Sequence, residues 1–259
     1  MKIHGTAKGA ALSTKDFGVA FGGAADTGTV PNTVDDLYAW WDFSGEYSTI
    51  TRDGSDRVSK ITNGEGSVNL DMEQGTAGDQ PLWVSADLND KDVVDFASSR
   101  WLQTDDAKTN VPSVSQPVTY FFVTEVPGTT SERWLFDRGS GWGIDYDNSR
   151  QNCGKPNNTA WNSGPGNWTL DNTGQWSYIT TIFNGSDGLL RQDGVANSGG
   201  AKDTGTRKIS AGTIGIESAG TGDTQSWNEK IAEIIMYDRE LSTAEIEGIE
   251  LYLSTRWGL

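Results

Sequence analysis

From Asp36 onward, short β-prone runs alternate with turn residues about every 8–12 positions, which is the habit of sandwiches and barrels. Between several runs stand the dipeptides Asp53-Gly54, Asn63-Gly64, Asn184-Gly185 and Asp193-Gly194, which supply the positive φ angles of tight hairpins. The pattern predicts strands at 37–43, 47–51, 57–62, 82–85, 93–97, 100–104, 118–126, 133–137, 143–147, 176–184, 189–192, 208–217 and 230–237. The chain is therefore predicted to be all-β.

The two longest apolar runs are nearly continuous rather than alternating. They cover 118–123 and 231–237, and both are rich in β-branched and aromatic residues. A continuous run indicates burial on both faces, so we expect these two to be central strands.

One helix is signalled near the end of the sequence. Ser242-Thr243-Ala244-Glu245 forms a capping box, and Leu241 and Ile246 stand where a hydrophobic staple places its two residues. Ile246, Ile249 and Leu253 then recur on one helical face. We expect a short helix that lies on the sandwich.

Composition narrows the classes of function. The 259 residues contain no internal repeat and no dividing linker after residue 35, so we predict an N-terminal arm over 1–34 and a single domain over 35–259. A net charge of -16 opposes binding to phosphate backbones, and no apolar run is long enough for a membrane span or a secretory signal. Neither nucleic acid nor membrane is an expected partner. The lone Cys153 and His4 exclude an intrachain disulfide and a histidine-pair metal site.

Three segments resemble laminin-G-like, concanavalin A-like lectin and glucanase domains. They are 37–43 (LYAWWDF), 92–102, in which DVVDF precedes Trp101-Leu102, and 232–242 (AEIIMYDRELS), followed by Tyr252-Leu253 and Trp257-Gly258. The resemblance covers about 36–259 and implies a concanavalin A-like jelly-roll sandwich.

Residues 1–23 resemble the start of structural proteins of tailed bacteriophages. That resemblance implies a multicopy or homo-oligomeric virion component, such as a capsid decoration or cement protein, a head fibre or a tail appendage, with the major capsid protein or a neighbouring shell protein as partner. The candidate docking residues of the arm are Lys2, Lys8, Lys15, Phe17 and Phe21. Docking on a partner and folding over an edge of the chain's own sandwich ask for similar residues, and both interpretations stay open.

Retaining glucanases on this fold carry a Glu-x-Asp-x-(x)-Glu strand, because two carboxyl groups about 5–5.5 Å apart must act as nucleophile and acid. The sequence has no such run, and Glu229 and Glu233 are interpreted as solvated acids or acids at a ladder edge. The chain is predicted not to be an enzyme.

The glycine- and asparagine-rich stretch 139–176 carries several tryptophans. Sugar rings stack on such side chains while amides and carboxylates bind their hydroxyls. The candidate glycan-binding residues are Trp142, Asp145, Asn148, Trp161 and Trp168. Binding of host-surface glycans is one interpretation, and aromatic residues that cap a glycine-rich sandwich are the other. No cofactor is expected, with Ca²⁺ at Asp145 and Asp147 as the one alternative.

Overall fold

The computed structural model describes residues 28–66, 70–97, 100–104, 114–128, 133–137, 143–147, 150–153, 167–201, 203–204, 213–215 and 227–259. The strands, in chain order, are β1 (Leu37–Asp42), β2 (Ile50–Arg52), β3 (Val58–Ile61), β4 (Met72–Glu73), β5 (Leu82–Leu88), β6 (Lys91–Asp95), β7 (Leu102–Thr104), β8 (Val118–Glu125), β9 (Arg133–Asp137), β10 (Gly143–Asp147), β11 (Arg150–Cys153), β12 (Asn167–Thr169), β13 (Trp176–Phe183), β14 (Leu189–Gln192), β15 (Val195–Ala196), β16 (Thr213–Ile214) and β17 (Lys230–Tyr237). Short 3₁₀ helices cover Pro31–Thr33 and Gly185–Asp187, and one α-helix, α1, covers Thr243–Trp257.

The strands form two antiparallel sheets. Sheet I has the order β15-β14-β13-β8-β17-β6-β5, and sheet II has the order β12-β11-β10-β9-β16-β7-β4-β3-β2. Strand β17 pairs with β8 on one side, while on its other side it pairs with β6 over its first two residues and with β1 over the rest. The prediction of an all-β sandwich with a short C-terminal helix is confirmed.

The central strands of sheet I are buried on both faces. Along β8, Tyr120 and Phe122 belong to the core between the sheets, whereas Phe121 and Val123 pack with α1 on the opposite face. This alternation is the period of two of a strand. The prediction that the apolar runs 118–123 and 231–237 are central strands is confirmed, because β8 and β17 lie next to each other in the middle of sheet I.

Helix α1 covers the outer face of sheet I. The Ser242 hydroxyl accepts a hydrogen bond from the Glu245 amide, and the Glu245 carboxylate accepts one from the Ser242 amide, so the predicted capping box is confirmed. The buried Leu241 and Ile246 lie in the same apolar cluster. The helix ends at Gly258, whose left-handed φ of 71° suits glycine. No helix in the described ranges is long and apolar enough to cross a membrane.

The sequence-based boundaries differ from the structure where short strands depend on partners far along the chain. Strands β4, β11, β12 and β15 have two to four residues each and were not predicted. Of the four predicted turn dipeptides, Asp193-Gly194 forms a two-residue hairpin with φ angles of 50° and 77°. Between β2 and β3, by contrast, the positive φ falls on Asp56 rather than on Asp53-Gly54.

The last residues assigned to the arm pack against the domain. The Thr29 amide donates to the Gly248 carbonyl on α1, and the Tyr237 hydroxyl donates to the Pro31 carbonyl. A side chain on Gly28, which has a φ of +77°, would collide with the Tyr252 backbone. Residues 28–34 are thus held on the helix layer, while the five candidate docking residues, Lys2, Lys8, Lys15, Phe17 and Phe21, lie outside the described residues.

Candidate functional site

The predicted glycan-binding residues are only partly within the described structure. Trp168 on β12 is completely buried between the sheets, where its indole N–H donates to the Gly200 carbonyl at 3.0 Å. No face of this indole is open for a sugar ring, so the role proposed for Trp168 does not fit its place in the core. Asp145 lies on β10, with its side chain outside the described part, and Trp142, Asn148 and Trp161 lie outside it entirely.

An open depression lies between the segment that follows β12 and the β14–β15 hairpin, at the outermost strands of the two sheets. Strand β12 ends sheet II on this side, and β14 with β15 ends sheet I. The depression, called the edge groove below, has a volume of about 890 Å³, within the range of ligand sites. Its lining residues are Asp171, Asn172, Gln192, Asp193, Val195, Ala196, Asn197 and Ser198.

The Gln192 side chain ties the two walls of the edge groove together. Its amide oxygen accepts from the Asp171 backbone N–H at 2.8 Å, and its amide nitrogen donates to the Asp171 carbonyl at 2.8 Å. The same nitrogen also donates to the Ser177 hydroxyl. The Gln192 side-chain amide thus binds both backbone groups of Asp171, as a peptide group of a neighbouring strand would. These two bonds fix the loop after β12 against sheet I.

Asp193 holds the hairpin that forms the second wall. Its carboxylate accepts hydrogen bonds from the Tyr178 amide, the Ser177 hydroxyl and the Asn172 side-chain amide, at 3.1–3.2 Å. Burial raises the pKa of this carboxyl, although the three donors oppose that change. Asp193 therefore has a structural task in the groove.

Helix α1 supports the groove from behind. Arg191 donates to both carboxylate oxygens of Glu250 at 2.8 Å, and its guanidinium also reaches the Gly194 carbonyl at 2.7 Å. The buried Glu250 carboxylate in addition accepts from the Thr180 hydroxyl. A bidentate pair of this kind fixes geometry as well as charge, so the turn is held on a rigid support.

Groups suited to a ligand remain on the surface of the edge groove. The exposed Asp171 carboxylate makes no hydrogen bond with any described residue, and the exposed Ser198 is another of the lining residues. Val195 is 69% exposed and gives the groove an apolar strip beside these polar groups. The arrangement offers hydrogen-bond acceptors and donors around an apolar surface, on a support that needs no reorganisation.

A buried cluster of charged side chains lies elsewhere, under α1. Arg256 lies 3.0 Å from Asp42 and 3.4 Å from Glu233, and all three side chains are almost inaccessible to solvent. The Trp40 and Trp257 indoles donate to the two oxygens of Glu233 at 2.6 Å, and Tyr252 donates to one of them. The interpretation of Glu233 as a solvated or ladder-edge acid is wrong.

A β-bulge explains how Glu233 reaches this position. The register between β17 and β8 shifts between Ile231 and Glu233, so Ala232 and Glu233 both face the helix layer. Burial, and then the Asp42 charge, raise the pKa of Glu233 to about 7, against the opposing effects of Arg256 and the indole donors. Because no substrate can reach these carboxylates in this arrangement, the cluster is structural.

A second depression lies at the opposite edge, where β2 and β5 end the two sheets. It measures about 430 Å³ and includes Tyr47, Arg52 and Trp83 in its lining. The Arg52 guanidinium lies 4.8 Å above the Trp83 ring, so a sugar would have to displace a cation in order to stack there. The edge groove is the better candidate site.

The described residues show no group of three or more His, Cys, Asp or Glu side chains arranged to hold a metal ion. The alternative of Ca²⁺ at Asp145 and Asp147 concerns side chains outside the described part and stays a prediction.

Sequence reasoning missed Asp171, Asn172 and Gln192. The available signal was the Asp193-Gly194 dipeptide, which located the hairpin, together with polar residues directly after the apolar Trp168-Thr169-Leu170 run. Nothing local indicated that Gln192 would pair with the backbone of a residue 21 positions away.

No family model matches the chain, and no curated protein does. Among solved structures, the chain is similar to a Trypanosoma rangeli sialidase in complex with the inhibitor DANA, with 15% identity, a TM-score of 0.54, and coverage of 87% of this chain and 35% of that one. It is also similar to the binding domain of Paraclostridial Mosquitocidal Protein 1, with 15% identity, a TM-score of 0.52, and coverage of 85% and 52%. The chain spans about a third and about half of these two structures, and at such identity the similarity shows the all-β fold alone.

Proposed function

We propose that this chain is a non-catalytic carbohydrate-binding module and that the edge groove is its binding site. The observation that carries the proposal is the Asp171 carboxylate, which has no described partner, in a groove that is also lined by the exposed Ser198 and the exposed apolar Val195. Saccharides have apolar ring faces and a rim of hydroxyls, so a site of this composition complements both parts.

The hydrogen bonds that fix the walls of the edge groove favour binding over catalysis. Gln192, Asp193 and Arg191 are engaged in hydrogen bonds that fix the walls, which leaves Asp171 as the carboxylate without a described partner. Hydrolysis of a glycosidic bond by the usual mechanism requires two carboxyl groups, one as acid and one as base or nucleophile. A preformed site with one available carboxylate suits recognition.

The test is a glycan array with the full chain and two variants. Asp171→Ala removes the carboxylate. The fold should be unaffected, because Gln192 binds the backbone N–H and carbonyl of residue 171 and not its side chain. We expect its array signal to fall by about tenfold, the cost of one charge-assisted hydrogen bond. Asp35→Ala is the matched control, because this exposed aspartate precedes β1, and β1 lies four strands from β14 in sheet I, a separation of about 19 Å at about 4.8 Å per strand.

The outcome that refutes the proposal is specific. If wild type binds no glycan on a broad array, the module does not bind carbohydrate. If wild type binds and both variants bind equally well, the site lies outside the edge groove.

We propose, as a second and compatible function, the virion structural role that the resemblance of residues 1–23 implies. Support comes from the sequence, together with the docking of residues 28–34 on α1, which would give an N-terminal attachment a fixed point of departure. Deleting residues 1–23 should abolish incorporation into particles and leave the thermal unfolding of the domain unchanged. Normal incorporation of the truncated chain would contradict this role.

A further inference from the structure

The charged side chains in the lining of the edge groove are acidic. Its eight lining residues include the carboxyl groups of Asp171 and Asp193 and no basic side chain. The guanidinium of Arg191, next to the lining residue Gln192, is occupied by both oxygens of Glu250 and by the Gly194 carbonyl. No cation in the described lining is available to an acidic ligand.

The distribution of charge on the rest of the chain adds to this effect. The sequence has 36 acidic and 20 basic residues, with a formal net charge of -16. A surface of this sign lowers the local concentration of anions and slows their approach. Attraction at long range therefore cannot compensate for the missing basic group.

We infer that the edge groove selects uncharged saccharides and rejects sialylated, uronate-containing and sulfated ones. The inference rests on the proposed carbohydrate-binding function and names the ligand class of the same site. Neutral hydroxyls can donate to the Asp171 carboxylate, whereas a ligand carboxylate or sulfate within about 4–6 Å of it would be repelled. A single such repulsion near a protein surface corresponds to at least about tenfold in affinity.

The inference gives Asp171 a role as a specificity determinant. Its carboxylate is exposed, and Asp171→Asn keeps its size and its capacity to accept a hydrogen bond while removing the charge. This variant should weaken the binding of neutral glycans, because their hydrogen bond to residue 171 is no longer charge-assisted, and should strengthen the binding of anionic analogues relative to the neutral ones. Asp35→Asn removes the same charge at a distance and should change neither.

The experiment uses pairs of ligands that differ in one charged group. Binding of the full chain is measured for lactose against 3′-sialyllactose and for neutral against sulfated galactan oligosaccharides. The measurements are repeated at ionic strengths of about 0.01 M and 0.15 M, between which the screening length falls from about 30 Å to about 8 Å. Any residual binding of the anionic partner should strengthen with added salt, while binding of the neutral partner should not change.

Each outcome distinguishes the inference from the function on which it rests. Neutral partners that bind at least about tenfold more tightly, with the discrimination reduced in Asp171→Asn, support both. Anionic partners that bind as tightly as the neutral ones overturn the selectivity and leave carbohydrate binding intact. An absence of binding to every partner overturns the proposed function and the inference together.

Discussion

Replacing Arg256 by methionine should cost this protein a large part of its stability. The arginine side chain is 6% exposed, and it is the cation that faces two carboxylates, Asp42 and Glu233, that are 0% exposed. Methionine fills much of the same volume but leaves those charges buried without a counter-ion. Breaking a buried ion pair in this way costs about 3–5 kcal/mol. Domains unfold with about 5–15 kcal/mol in total, so the loss should be large enough to measure easily.

The loss of stability in Arg256→Met should depend on pH, because the Glu233 carboxylate becomes neutral when it takes up a proton. In wild type its pKa rises from 4.5 to about 7, so the folded state binds more protons than the unfolded state between these values. Stability from this group is complete below pH 4.5 and is lost as the pH rises to 7, a change of about 3 kcal/mol. Removing Arg256 takes away a charge that lowers this pKa, so the pH-dependent loss should extend above pH 7 in the variant.

Urea unfolding at pH 5.5 and pH 7.5 tests both statements. At pH 7.5 the midpoint of Arg256→Met should fall by about 1–2 M relative to wild type, and at pH 5.5 the difference in the free energy of unfolding should be smaller, by up to about 0.8 kcal/mol. Arg52→Met is the control, since that arginine is paired with Asp56 on the surface and such pairs contribute about 0–1 kcal/mol. A loss below about 1 kcal/mol at pH 7.5, or an equal loss at both pH values, would refute the reasoning.

Two further predictions concern the helix and the tryptophan-rich stretch. Ser242→Ala removes the capping hydroxyl, and its free energy of unfolding should fall by about 1 kcal/mol; a loss below the error of denaturant titration would show that the Glu245 carboxylate caps α1 sufficiently by itself. Trp161→Ala and Trp142→Ala should weaken the glycan-array signal, since both are predicted glycan-binding residues, and unchanged signals for both would show that these two tryptophans do not contribute to binding.

The elements that the sequence predicts well are those whose signals are local. The capping box at Ser242 needs only four consecutive residues, and the continuous apolar run of β8 identifies a two-sided burial without knowledge of its partners. Two-residue strands such as β15 exist because a neighbouring strand offers a ladder, so their own residues carry no distinguishing pattern.

Glu233 shows why the buried charge was not predicted. Simple alternation along β17 would place it on the same face as Ile231, between the sheets, and only the bulge turns it toward α1. Its partners Trp40 and Trp257 lie 193 and 24 positions away. The edge groove was not predicted for a similar reason. Its walls come from parts of the chain that are distant in sequence and are joined by the Gln192 side chain.

The pairing of β1 with β17 has a consequence for how the chain folds. Leu37 lies opposite Tyr237, and Trp41 opposite Ile234, so nearly two hundred residues separate the partners in this ladder. Contacts of such sequence separation form slowly, since the entropy of closing the loop must be overcome first. During synthesis on a ribosome, β1 and β8 would both have an unpaired edge until residues 230–257 emerge, and those same residues then complete the centre of sheet I and cover its outer face.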